Sequence, residues 1–183
     1  MNLLSDLLYK AGIEEVSGDT SISIEKVCFD SRKVESDTLF IAIRGSVVDG
    51  HHFIAEVIAK GATAIVCEEM PAERFQSVTY IQVKDSSLAL AIIAANFYDH
   101  PSDKLKLIGV TGTNGKTTVV TLLHALFRQL GYKVGLLSTV VNRINDLEIP
   151  STHTTPDPLQ LNALLAKMVD SECTHCFMEV SSH

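Results

Sequence analysis

Along the second half of the chain, short apolar blocks alternate with stretches of helical spacing. Residues 105–111, 133–139 and 176–181 are apolar runs of strand length. Between them Val119, Leu122, Leu123, Leu126, Phe127 and Leu130 recur at 3.6-residue spacing and stop at Gly131. Leu161, Leu164, Leu165 and Met168 repeat the pattern within 159–169. Each repeat predicts a helix with one apolar face. Apolar strands alternating with such helices predict a parallel sheet covered on both sides. In the first half, leucines at 3, 4, 7 and 8 predict a short helix ending near Gly12. Strands are expected at 21–29, 38–43, 62–67 and 78–83, and helices at 53–60 and 87–98. The polar, proline-containing stretch 99–104 is expected to link the halves. The fold class read from this pattern is α/β. A small mixed α/β N-terminal domain (1–100) precedes the start of a second, parallel-sheet domain (105–183).

Open parallel sheets gather ligands at the carboxyl ends of their strands, where the glycine loop, Ser138-Thr139 and 179–183 are all expected to fall. At such an end the run 105–111 passes into Gly112, Thr113, Asn114, Gly115, Lys116, Thr117 and Thr118, and then into the first helix. Glycines let backbone N–H groups turn onto phosphate oxygens, and a helix N-terminus adds partial positive charge. Lys116 is placed to reach the outer phosphates, and the Thr117 hydroxyl to ligate Mg²⁺. The strict GxxxxGK[ST] pattern has a glycine where this chain has Val110, so the loop is a variant. The expected ligand is a nucleoside triphosphate.

Composition narrows the alternatives. The chain has 183 residues, 46% of them hydrophobic, and a net charge of −7, which argues against nucleic acid as the partner. No apolar run approaches a membrane span. An early aspartate and the lack of a basic leader argue against a signal peptide, so a cytoplasmic location is expected. Of the four cysteines, Cys173 and Cys176 form a CxxC, but no second ligand pair at zinc spacing accompanies it. Plain reduced thiols are expected there and at Cys28 and Cys67. The sequence stops after His183 with three strands counted in its sheet, and the chain is therefore read as part of a longer enzyme.

Other loops are rich in polar groups: Asp30-Ser31-Arg32, the turn from Gly45 to His51, the hydroxyl-rich run 152–158, and 179–183 at the last strand end. Taken singly, the first two suit ordinary turns, Asp157-Pro158 a helix cap, and Glu179 with His183 a surface pair. Beside a phosphate loop, metal ligation is the stronger reading of Glu179 and His183.

In order along the whole chain, DSRKV (30–34), LFIAIRG with DGHHFI (39–54), GVTGTNGKTT (109–118), HTTPDP (153–158) and MEVSSH (178–183) resemble the Mur ligases, and within them the MurE type. The resemblance implies an N-terminal domain holding a UDP moiety, a central ATPase domain and a C-terminal domain that brings the amino acid and lies beyond this chain. It implies ATP and Mg²⁺, and as substrates UDP-MurNAc-L-Ala-D-Glu and a diamino acid, either meso-diaminopimelate or L-lysine, joined through an acyl phosphate by a monomeric enzyme. By position, Phe29 and Ser31 fall where the uridine is held, and Ser46, Val47 and Val48 fall beside it. His153, Thr154, Thr155 and Ser181 fall at substrate contacts, although His153 stands where some members have Asn. Gly112 to Thr118 match the ATP loop. Thr117, Glu179 and His183 match the metal ligands, and Lys116, Glu179 and His183 the catalytic set. The 183-residue piece alone is expected not to ligate. The alternatives are a MurF-type or folylpolyglutamate-type ligase, or a nucleotide-binding module without ligase chemistry.

Overall fold

The computed structural model describes residues 2–45, 48–150 and 157–180. The chain divides into two compact units, Met1–Phe97 and Tyr98–His183.

In the first unit β1 (Asn2–Leu3) leads into α1 (Leu4–Leu7), followed by β2 (Ile13–Ser17), β3 (Ser23–Ile24), β4 (Lys26–Cys28) and β5 (Thr38–Ile41). Then come α2 (Ile54–Ala59), β6 (Ala62–Cys67), β7 (Thr79–Val83) and α3 (Ser86–Phe97). The main sheet has the order β2-β7-β6-β5-β4. Strands β4 to β7 are parallel, and β2 joins β7 antiparallel. Alternate residues of the parallel strands serve opposite faces, as pleating requires. Phe40, Ile65, Cys67 and Tyr80 pack with Ile54 and Val57 of α2. The expected strand 21–29 is two short strands separated at Glu25, and the 78–83 run begins its pairing at Thr79. The edge strand β2 was not foreseen from the pattern.

The second unit begins with a 3₁₀ turn, Pro101–Lys104, in which Pro101 is buried and which packs against α5 (Pro158–Asp170). The stretch expected to be a linker is thus folded into this unit. Its strands are β8 (Lys106–Val110), β9 (Val134–Leu137), β10 (Val141–Ile144), β11 (Leu147–Pro150) and β12 (His175–Glu179), with α4 (Lys116–Gln129) after β8. The sheet order is β11-β10-β9-β12-β8. Strands β9, β12 and β8 are parallel, while β10 pairs antiparallel with both β9 and β11. The expectation of an all-parallel sheet of three strands is therefore corrected: this is a five-stranded mixed sheet. The hairpin turns at Asn145, whose φ of 54° suits the left-handed region that Asn tolerates.

The two faces are covered by α4 and α5. On one side Val120 packs with Val134, Leu136 and Phe177, joined by Leu123 and Phe127. On the other, Leu165 and Met168 pack with Leu137 and Cys176. The packing face expected for α4 needs correction. Val119, Leu122, Leu126 and Leu130 are 42–64% exposed, whereas Val120 and His124 are buried. The apolar arc of this helix is wider than the stripe one sheet face can bury, so spacing alone could not select which part packs.

His124 is 4% exposed, and its Nε2 has no hydrogen-bond partner among the described residues. Burial, then the neighbouring Arg143, hold its pKa below the ordinary histidine value, against opposing contributions from the Asn145 backbone and Asp146. The folded ring stays neutral where the unfolded ring, near pH 6.5, takes up a proton. Its contribution to stability is therefore present above that range and lost as pH falls through it, at up to about 1.4 kcal/mol per pH unit. Urea midpoints are expected to drop between pH 7.5 and 5.5, and His124→Leu should flatten the slope. Some slope should remain from His175, whose pKa burial and Lys106 also lower.

All four cysteines are free and buried, as expected. Burial pushes the Cys67 thiol up to about 11 and Cys176 up to about 12. A thiol needs its thiolate form to react. DTNB is expected to leave the native protein unlabelled and to titrate all four thiols in guanidinium. Fast labelling of the native state would contradict this packing.

Candidate active site

The second unit assembles its site from two neighbouring strands and one helix. Strand β8 ends at Val110, the loop spans 111–115, and α4 starts at Lys116. Gly115 occupies the N-cap position at φ 80°, a left-handed conformation that a side chain would strain. A Cβ there would meet nothing within 4 Å, so the loop stands open. Lys116 folds back, its Nζ donating to the Gly112 carbonyl at 2.7 Å. Thr113, Asn114 and Thr118 are exposed around the rim.

Strand β12 pairs in register with β8, placing Glu179 opposite Val110, and the Val180 N–H donates to the Val110 carbonyl at 2.9 Å. The Thr117 Oγ1 donates to Glu179 Oε2 at 2.9 Å. Of the metal ligands expected from the sequence, Thr117 and Glu179 are thus brought together. Burial raises the Glu179 pKa, but hydrogen bonds from the Thr139 N–H, the Thr117 hydroxyl and the Thr139 hydroxyl, with Lys116 nearby, outweigh it and leave the carboxyl below its ordinary value. The group is an anion at neutral pH. An anionic oxygen and a hydroxyl beside an open, N–H-rich helix start form an oxygen donor set suited to Mg²⁺, which keeps several waters and needs few protein ligands. The described residues contain no group of three or more His, Cys, Asp or Glu side chains placed to hold a metal. His183 and Ser181 lie outside the described residues, as do His153, Thr154 and Thr155.

Thr139 was given no role among the expected site residues, although Ser138-Thr139 was expected at a ligand-gathering strand end. Its sequence signal was its place at the carboxyl end of β9, next to β12 in the sheet.

In the first unit, the two motif loops leave the carboxyl ends of the neighbouring parallel strands β4 and β5. Asp30 caps a 3₁₀ turn, Ser31–Lys33, by accepting from the Arg32 N–H at 3.1 Å. It also grips the Arg32 guanidinium through both oxygens, at 2.9 and 2.8 Å. These bonds to Arg32, partly opposed by desolvation, take the Asp30 carboxyl down to about 2. Phe29 and Ser31 are half-buried, and the Ser31 carbonyl accepts from Lys60 Nζ at 2.9 Å. The second loop folds back on itself, Arg44 bridging to Asp49 and the Gly45 N–H donating to the Val48 carbonyl at 3.1 Å. Val48 is exposed at the tip, while Ser46 and Val47 lie outside the described residues.

The base of that loop is more than turn chemistry. His51 Nδ1 meets Asp49 Oδ1 at 2.6 Å, and its Nε2 accepts from the Glu68 backbone N–H at 2.8 Å. The second contact makes Nδ1 the protonated nitrogen of a neutral ring. Glu68 in turn accepts from the Ser86 N–H and hydroxyl at the start of α3. A cleft of about 500 Å³ opens here, lined in part by Arg44, His51, Ile58, Met70 and Phe75. A second cavity of about 590 Å³ lies at the amino ends of the strands. Asp19, Glu25 and Asp37 on its wall disfavour an anionic ligand.

The chain belongs to the Mur ligase family. Residues 23–98 match the family's catalytic domain, and residues 110–183 match the Mur ligase middle domain. Within the family, its homology is to ligases of the MurE type. It is 64% identical over 181 residues to the UDP-N-acetylmuramoyl-L-alanyl-D-glutamate–2,6-diaminopimelate ligase of Cytophaga hutchinsonii, covering 98% of this chain and 37% of that protein. Against the ligase of the same name from Bacteroides thetaiotaomicron it is 55% identical over 181 residues, covering 99% of this chain and 38% of that protein. The chain thus spans well under half the length of these curated relatives. A solved structure of a UDP-N-acetylmuramoyl-L-alanyl-D-glutamate–2,6-diaminopimelate ligase superposes with a TM-score of 0.78 at 24% identity, over 100% of this chain and 36% of that one, and supports the fold. No helix among the described residues is long and apolar enough to cross a membrane.

Proposed function

We propose that this chain supplies the UDP-holding unit and the ATP loop of an ATP-dependent ligase. That ligase joins 2,6-diaminopimelate to the D-Glu of UDP-MurNAc-L-Ala-D-Glu for peptidoglycan precursor synthesis. The observation that carries the reading is the Thr117–Glu179 hydrogen bond, which ties the start of the loop helix to a carboxylate on the adjacent strand. The relatives' names favour diaminopimelate over lysine as the incoming amino acid.

Amide formation requires the substrate carboxylate to become an electrophile. Attack of the carboxylate on the terminal phosphate of ATP, with ADP leaving, would give an acyl phosphate, whose carbonyl carbon the amine then attacks to form the amide and release phosphate. Two anions must approach, so the site's task is electrostatic. Lys116 and the loop N–H groups would bind and orient the phosphates. Thr117 and Glu179 would hold Mg²⁺, which supplies charge neutralisation when bound. In the first unit, Phe29, Ser31 and the loop 46–48 would hold the uridine end, at strand ends kept in place by the Asp30–Arg32 and Asp49–His51 pairs.

Calorimetry of the 183-residue chain with ATP, with and without Mg²⁺, tests the second unit. Binding strengthened by Mg²⁺ is expected, and no binding in either condition would refute the assignment. An NMR titration with UDP-MurNAc-L-Ala-D-Glu tests the first unit: shifts should include Phe29, Ser31 and Val48. Shifts confined to residues after 105 would overturn the UDP assignment.

A further inference from the structure

Three hydrogen bonds converge on a single oxygen of Glu179. Oε2 accepts from the Thr117 hydroxyl at 2.9 Å, from the Thr139 backbone N–H at 3.3 Å and from the Thr139 hydroxyl at 3.2 Å. Two of the three therefore come from one residue that no motif includes. A carboxylate oxygen engaged by three donors has little lone-pair capacity left, which leaves Oε1 as the oxygen free for another ligand.

Thr139 is itself held. Ser138 and Asn142, both buried, tie the turn after β9. The Ser138 N–H donates to Asn142 Oδ1 at 3.2 Å, and the Ser138 hydroxyl donates to the Val141 carbonyl at 2.7 Å while accepting from the Val140 and Val141 N–H groups. This turn opens into the β10–β11 hairpin, so Thr139 is carried on a rigid support, unlike a side chain on an open loop. Parallel pairing of β9 with β12 brings that support beside Glu179.

We propose that Thr139 is a positioning residue for the divalent cation: through its N–H and hydroxyl it fixes the Glu179 carboxylate so that Oε1 faces the metal beside Thr117. This rests on the nucleotide reading above. Thr117 holds the same oxygen from the loop side, and a hydroxyl that gives its lone pair to a metal keeps its O–H for Glu179. Thr139 clamps the carboxylate from the neighbouring strand end. Without its hydroxyl, Glu179 keeps its charge and loses one of the bonds that fix its orientation. The consequence falls on cation binding and leaves the contact between nucleotide and loop intact.

The test compares wild type, Thr139→Val and Thr139→Ser in the 183-residue chain, measuring ATP affinity by calorimetry over a range of Mg²⁺ concentrations and without metal. Valine preserves shape and removes the hydroxyl, whereas serine keeps it. Thr139→Val is expected to need roughly tenfold more Mg²⁺ to reach the same ATP affinity, the scale of a hydrogen bond to a charged group. Its metal-free ATP affinity should be unchanged, and Thr139→Ser should restore the wild-type Mg²⁺ requirement. Equal Mg²⁺ dependence in wild type and Thr139→Val overturns the proposal. So does a Thr139→Ser protein as impaired as the valine variant, and so does a loss of metal-free affinity in Thr139→Val, which marks damage to the fold. A wild-type protein that binds no ATP in any condition refutes the nucleotide reading and this proposal together, whereas the variant outcomes refute this proposal alone.

Discussion

Lys116→Ala is expected to abolish most MgATP binding by the second unit. Lys116 is the cation in the loop between β8 and α4, and in the structure its ammonium closes the loop by donating to the Gly112 carbonyl. A phosphate oxygen in place of that carbonyl would turn a neutral acceptor into a charged one. A charge-assisted hydrogen bond of this kind contributes about 1.5–3 kcal/mol, roughly ten- to a hundredfold in Kd. Alanine suits a helix start and Lys116 is only half-buried, so the unfolding midpoint should barely move. Calorimetry with MgATP paired with a urea melt checks both. Unchanged ATP affinity at unchanged stability would remove Lys116 from the phosphate site and would sink the loop assignment with it.

The elements that were legible in the sequence are those with one dominant signal. The strand 62–67 matches β6, because six apolar or β-branched residues sit between a glycine turn and acidic residues and are buried from both sides. The loop helix was legible because Gly112 and Gly115 precede a long apolar repeat. What escaped has a physical reason in each case. Strand β2 carries Glu14 and Glu15 and is mostly exposed, since it pairs with the sheet only through β7. Its conformation is set by its partner. The β10–β11 hairpin mixes Asn142 and Arg143 with apolar residues, so no long run announces it, although Asn145-Asp146 between two short β-branched segments was an available turn signal. For the candidate site, motif spacing named Lys116, Thr117 and Glu179, and the fold brings the Thr117 hydroxyl to the Glu179 carboxylate. The alternation of strands and helices put Ser138-Thr139 at a strand end where ligands gather, but it did not give the bond from Thr139 to Glu179, because that link runs through the pairing of β9 with β12, forty residues apart in sequence. Local patterning carries no information on that register.

Gly50→Ala is expected to damage the first unit in both stability and UDP-substrate binding. A Cβ at Gly50 would lie 2.8 Å from the Ile43 nitrogen, 2.9 Å from the Ile43 oxygen and 3.1 Å from the Ala42 Cα. All three are backbone atoms, so no side chain can swing aside. The Gly50 N–H also donates to the Ile43 carbonyl at 2.8 Å, the bond that closes the base of the loop. Relief of the clash must therefore move the chain after β5 or move Asp49 and His51. Moving His51 strains its contacts to Asp49 and to the Glu68 N–H, which link the loop to the end of β6. Overpacking of this kind costs about 1–3 kcal/mol. The same displacement reaches Val48, two residues away, on the loop proposed to hold the uridine end. Val48→Ala serves as the control for stability alone. Val48 is 54% exposed, and its truncation should change stability by less than about 0.5 kcal/mol. Urea unfolding and a titration with UDP-MurNAc-L-Ala-D-Glu separate the outcomes. A Gly50→Ala protein as stable as wild type would show that the loop base yields without cost. Lost stability with intact binding would detach this loop from the uridine site.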